Sequence, residues 1–212
     1  MAEQAKKTEC VIAAPNLQRA EFTIIGTAPY VQHKFPQKAK QMMMDKQQQG
    51  AQAKKGKARE AKNFQDVYEG AQHKTADGKN GIPASAFRAA LISACRLVGF
   101  KMTLAKLSVF VEADGFDVED GSPMVFFTKG TPRRVEHHVR LETGVCDIAC
   151  RAMWDAGWEA NVRITFDAGQ FSLADVANLL ARAGMQVGIG AGRPDSSSSA
   201  GCGWGTFKVS EV

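Results

Sequence analysis

Two segments of this 212-residue chain carry complete helix punctuation, and stretches of β character flank both. Pro83 opens the first; its fixed φ suits the first turn of a helix. Gly99 stands just past the end, where a left-handed residue commonly closes one. Phe87, Ala90, Leu91, Ala94, Leu97 and Val98 recur between them at three- and four-residue intervals. That spacing predicts a helix over Pro83–Val98 with one buried face, and Ser85, Arg88 and Arg96 fall off the stripe. Ser172 begins the second as an N-cap, with Asp175 three residues on as the carboxylate of a capping box. Leu173, Val176, Leu179, Leu180 and Ala183 make its stripe, and Gly184 is expected to close it.

Around these helices the pattern is that of strands. Ala20–Thr27 is rich in β-branched and aromatic residues and is stopped by Gly26 and Pro29, with a short extended piece expected over Tyr30–Phe35. Leu107–Ala113, Met124–Thr128 and Val135–Leu141 read as strands, with Gly130–Arg134 as a linker. Cys146–Met153 and Glu159–Asp167 alternate about a turn at Trp154–Trp158, and Val162, Ile164 and Phe166 share one side. A short strand and a glycine-rich loop follow the second helix, and Gly205–Val209 closes the chain. This order predicts an α+β fold. Its sheet is antiparallel, with two core helices on one face, in the ferredoxin-like, split-βαβ arrangement. One domain over residues 19–209 is expected, after a loosely ordered arm over residues 1–18.

The charge is distributed unevenly. Net charge is only +5, yet Lys34–Lys62 holds nine Lys or Arg against Asp45 and Glu60. The surrounding stretch, about residues 36–80, is rich in Lys, Gln, Ala and Met. It reads as a basic helical insertion, with helices over Lys38–Gln49 and Ala58–Gly70. It is either a solvated excursion or a flap over a polyanion. No run approaches the roughly 18 apolar residues of a membrane span, and residues 1–15 lack a secretory pattern, so a cytoplasmic protein is expected. Five cysteines at irregular spacing fit reduced thiols. Cys146 and Cys150 are expected as core residues, or as a metal site completed by His137 or His138.

Seven glycines fall between Gly184 and Gly205, among them Gly190 and Gly192, with Arg193 and Ser196–Ser199 between them. Such a loop lets backbone N–H groups approach a phosphate, and Arg193 offers a fork that phosphates prefer; the alternative is a plain connection between strands. Neither a P-loop ending nor a dinucleotide fingerprint is present.

Three stretches carry a family resemblance. Gly26-Thr27-Ala28-Pro29-Tyr30-Val31-Gln32-His33 resembles the first strand and turn of the RAMP superfamily, whose members include backbone subunits of CRISPR interference complexes. Gly81-Ile82-Pro83-Ala84-Ser85-Ala86-Phe87-Arg88 is similar to the start of that family's first core helix. Val187-Gly188-Ile189-Gly190-Ala191-Gly192-Arg193-Pro194 with Gly203-Trp204-Gly205-Thr206-Phe207 resembles its glycine-rich loop and closing strand. The resemblance implies an RNA-recognition-type sheet holding single-stranded RNA or DNA within a helical assembly of subunits. It also makes the insertion a palm or thumb. A small member encoded by a phage or mobile element fits the length, and CRISPR complex subunits are possible partners.

The residues expected to hold the strand are Lys34, Lys38, Lys40, Lys54, Lys55, Lys57 and Arg59 through counterion release. Arg88, Arg133, Arg134, Arg193, Gly190 and Gly192 are expected at the backbone, with Phe35, Phe64 or Tyr68 stacking bases. Catalysis is not expected, nor any cofactor or metal. The carboxylate pairs, nucleophile elbows and ligand spacings that chemistry needs are missing from the sequence. Two other readings remain: a phage-borne interaction module or inhibitor that mimics a CRISPR backbone subunit, and a metal-independent ribonuclease using His33. His137 and His138 are adjacent and would point to opposite faces of a strand.

Overall fold

Strict alternation builds the centre of the molecule. The computed structural model describes residues 13–49, 63–140, 144–196 and 201–210. Within β1 (Leu17–Gly26) and β9 (Glu159–Asp167) the chains run antiparallel in register from Leu17↔Asp167 to Ile25↔Glu159. Ala160, Val162, Ile164 and Phe166 of β9 are all buried on one side, as the sequence pattern required. β10 (Phe207–Val209) adds to the other edge of β1, so the order begins β10-β1-β9.

Beyond β9 the edge divides. β4 (Val109–Val111) pairs with one half of β9, through Val109↔Phe166. β6 (Pro123–Lys129) pairs with the other half through Phe127↔Ala160, and continues to β3 (Gly81–Pro83) and β5 (Gly115–Phe116). A separate antiparallel sheet has the order β2-β8-β7, from Tyr30–Gln32, Cys146–Trp154 and Pro132–Arg140. The fold is therefore α+β with antiparallel sheets.

Both expected core helices form. α3 (Ala84–Ala94) follows Pro83 directly and ends in a 3₁₀ turn, Cys95–Val98, closed by Gly99 at φ 68°. It buries Phe87, Ala90, Leu91 and Ala94 against the sheet. Leu97 and Val98 stay half-exposed in the tighter turn, so the predicted stripe is interrupted there. α5 (Leu173–Arg182) has the capping box: the Ser172 side chain accepts from the Asp175 amide, and the Asp175 carboxylate accepts from the Ser172 amide. Ser172→Ala is expected to lower stability by about 1 kcal/mol, read as a shift in urea midpoint at constant slope.

Other segments depart from expectation. Gly184 does not close α5; a wider turn over Ala183–Val187 carries the chain on, with the Gly188 amide donating to the Ala183 carbonyl at 2.8 Å. Gly184 is needed because a Cβ there would lie 2.2 Å from the Phe207 oxygen of β10. No strand follows α5 before β10 among the described residues. Leu107 and Ser108 end a helix, α4 (Met102–Ser108), rather than begin a strand, and Leu107 is exposed. Pro132–Arg134 belong to β7 and are not a linker. The expected insertion helices lie at α1 (Gln37–Gln49) and α2 (Phe64–Gly70), the latter capped by Asn63.

Aromatic rings join the two sheets. Tyr30 of β2, Phe127 of β6, Trp154 of β8 and Trp158 pack together, with Phe127 stacked on Trp154 at 4.6 Å. Trp154 and Trp158, expected as a turn, bracket one at residues 155–157 while both indoles are buried. No described helix is long and apolar enough to cross a membrane.

Candidate nucleic-acid interface

The glycine-rich loop folds back on β2. Ala191 N–H donates to the Val31 carbonyl at 2.9 Å, and Gly205 N–H to Pro29 at 2.7 Å. Between the loop, β2 and the outward face of α3 lies a cleft of about 760 Å³. Its polar lining includes Gln32, His33, His73, Ser85, Ser93, Arg193 and Asp195. The two glycines singled out earlier have packing reasons for being glycine. At Gly190 (φ 76°) a Cβ would meet the Tyr30 ring and the Val31 oxygen at 2.6 Å. At Gly192 (φ 73°) it would meet the Trp204 indole at 2.5 Å. Neither amide makes a hydrogen bond among the described residues.

One face of the β2-β8-β7 sheet carries cations. The register pairs Val31 with Met153 and Arg133 with Met153, and Val135 with Arg151. Alternation then puts Val31, Arg133, Val135, His137, Arg151 and Met153 on one face, and His33 continues it opposite Arg151. Val31, Val135 and Met153 form a small core there, covered by Ala191 and Trp204 of the loop. The His137 ring packs on Trp204 with centroids 4.9 Å apart. Arg133 is neutralised by Asp155 at 2.9 Å.

Arg151 is different. Half-buried, it has no carboxylate partner among the described residues, and its Nε is buried without a hydrogen bond, as is Nε2 of His137. Desolvation pushes its pKa down. Burial also holds His33 below the usual histidine range, with the Arg151 charge adding to the effect. His137 is lowered by burial, then by Arg151 and Arg133, against a smaller opposing effect from Glu136. The Arg151 charge disfavours the protonated form of both histidines, an effect that a bound anion would offset.

Lys34 leaves the set of expected ligand contacts. Its ammonium is buried, 2.7 Å from Asp117 Oδ1 and 2.6 Å from Glu119 Oε2. Asp117 is wholly buried and also accepts from the amides of Lys74, Glu119 and Asp120 and pairs with His73 Nδ1 at 2.9 Å. Burial would raise its pKa, but the hydrogen bonds and Lys34 outweigh it and bring it down to about 2. A lysine two residues after β2 reads as surface charge only until its partners, more than 80 positions on, are folded around it. His73, Asp117 and Asp120 stand close enough to share an ion, but Lys34 already compensates Asp117.

The remaining expected contacts are scattered. Arg88 donates to the Val109 and Lys106 carbonyls and lies over Phe110, clamping α4 to β4. Arg134 points to the other face of β7 and pairs with Glu136. Arg193 lines the cleft while donating to the Gly190 carbonyl at 3.1 Å. Lys40 is exposed on α1, and Lys38 lies on the same helix. Lys54, Lys55, Lys57 and Arg59 lie outside the described residues. Phe35 is exposed, whereas the Tyr68 hydroxyl donates to Pro132.

Cys150 and Cys95 are buried, Cys146 and Cys202 exposed, and Cys10 lies outside the described residues. No cysteine joins a ligating cluster with His137 or His138 among the described residues. The exposed face of the larger sheet is a lattice of charge pairs, Arg19 and Arg163 with Glu112, Arg163 with Asp114, and Lys129 with Glu159. Sequence reasoning missed Arg151 and Trp204. The available signal was Arg151 at an inward position of an otherwise apolar alternation, Cys150-Arg151-Ala152-Met153. The chain matches no family model and no curated protein.

Proposed function

We propose that the protein binds single-stranded nucleic acid without cutting it, along the face of the β2-β8-β7 sheet that the glycine-rich loop covers, beside the cleft that His33 also lines. One observation carries the reading: Arg151, flanked by His33 and His137, presents charge to this loop with no carboxylate among the described residues to neutralise it. Arg19, Arg133, Arg134 and Arg163 on the sheets are each paired with an acidic group. A polyanion is the ligand class that rewards retained, uncompensated cations, because each phosphate contact releases counterions. The exposed face of the larger sheet is the weaker candidate, since its charges already satisfy one another.

Strand order β10-β1-β9-β4 with α3 and α5 as the two crossovers supports a ferredoxin-like core. The motif resemblance to RAMP proteins supports the same choice. Repeated subunits along one strand remain the proposed assembly. α1 supports it by exposing Met42, Met43 and Met44.

Fluorescence anisotropy with labelled single-stranded RNA and DNA tests the function. Binding is expected at low salt, with the logarithm of affinity falling linearly against the logarithm of salt concentration. No binding to either strand at low salt would remove this reading and leave the interaction-module alternative. Labelled RNA is expected to stay intact throughout.

A further inference from the structure

We propose that Arg151, His137 and His33 form one pocket, roofed by Trp204, that takes a single phosphodiester group of the bound strand. The inference rests on the nucleic-acid reading above and assigns the residues that hold the backbone.

The geometry comes from three chain segments. β8 supplies Arg151, β7 supplies His137, and the residue after β2 supplies His33. The loop lays Trp204 against His137, and Gly192 lets it come so close, because any Cβ there would enter the indole. Two side-chain nitrogens of this face, Arg151 Nε and His137 Nε2, are buried without a partner among the described residues, and the histidine nitrogen donates when it carries a proton. Buried donors are rarely left unmade, since each lost hydrogen bond costs about 1–3 kcal/mol. One of the two belongs to a charged guanidinium whose field reaches the other, and an anionic oxygen acceptor suits both. Phosphate fits, since a guanidinium and an imidazolium can donate to different oxygens of the same group.

The charged neighbours are of both signs. Arg133 on β7 adds positive charge to His137, while Glu136 opposes it. Cys202 on the loop is the other ionisable group acting on Arg151. Asp155 is engaged with Arg133, and Asp147 sits at the far end of the face, opposite Val139. A bound phosphate offsets the Arg151 charge that disfavours protonation of both histidines. It therefore raises both histidine titrations, and binding takes up protons near neutral pH.

The test uses the full chain with two probes, inorganic phosphate and a labelled single-stranded oligonucleotide. Histidine side-chain NMR on the wild type should show the His137 and His33 titrations moving upward as either probe is added. Arg151→Gln should abolish that movement. It should also weaken oligonucleotide binding about ten- to a hundredfold, from the loss of a charge-assisted contact, and lower the salt slope by about one. His137→Gln gives an independent variant should Arg151→Gln fold poorly, and Arg182→Gln on α5 is the control. If inorganic phosphate moves the histidines but Arg151→Gln binds the strand like wild type, the pocket serves a free anion and the proposal is overturned. Histidine titrations unmoved by either probe also overturn it. The function reading fails differently, as absence of strand binding by the wild type at low salt.

Discussion

Lys34→Met should destabilise the protein by about 3–5 kcal/mol, the usual result of removing one partner from a buried ion pair. The reason is Asp117, whose side chain is wholly buried and whose charge would lose its nearest cation. Thermal and urea denaturation followed by circular dichroism provide the measurement. Asp117→Asn in the Lys34→Met background should recover part of the loss, because an asparagine oxygen can still accept from the Glu119 and Asp120 amides. Strand affinity per folded molecule should be unchanged in Lys34→Met, since the ammonium is spent on Asp117 and Glu119. A loss of affinity without loss of stability would return Lys34 to the ligand contacts.

The same carboxylate fixes the acid limb of stability. Its pKa falls from the ordinary 3.8 to about 2 on folding. A depressed carboxylate stabilises the fold fully above its unfolded pKa, and the contribution disappears as pH falls from about 4 through 2. The wild type should therefore lose stability across that interval, and Asp117→Asn should show a flatter profile there.

The second large effect is expected at Gly205. Its φ is +69°, and a Cβ would stand 1.7 Å from the Ile189 oxygen, where the glycine-rich loop closes on itself. Left-handed strain alone costs about 1–2 kcal/mol. A backbone clash that cannot be relieved by a flexible side chain adds to it. Gly205→Ala should therefore cost at least about 3 kcal/mol, placing it in the tail of single-substitution effects. Gly203→Ala is the matched comparison: its φ is +74° but nothing lies within 4 Å. It should cost only about 1–2 kcal/mol, the strain without the clash. Equal melting temperatures for the two would show that the loop is loose and that close packing does not explain its glycines.

These outcomes bear on how much could be read from residue order. The β9 limits Glu159–Asp167 and the α5 capping box were legible because both signals are local. Alternation and an N-cap need no knowledge of distant chain. Leu107–Ser108 was misread because a two-turn helix runs straight into β4, so apolar spacing passes without punctuation from one period to the other. Gly184 was misread as a stop, since glycine serves equally for a cap and for a close approach. The candidate site was half visible. The loop and its place after the second helix could be read, but its glycines were assigned to a ligand when they first serve Tyr30, Val31 and Trp204.

By itself the sequence determined the periods, hence two amphipathic helices and antiparallel strands in a given order, and a basic excess in one stretch. Those properties reside in neighbours a few residues apart. Only the tertiary structure decided which charges are free. Lys34 meets Asp117, and Arg96 meets Asp195, across 83 and 99 positions. Arg151 meets no carboxylate among the described residues, although Arg133 on the neighbouring strand is paired with Asp155. Whether a cation is spent or available depends on long-range neutralisation and burial, quantities that exist only once the chain has folded.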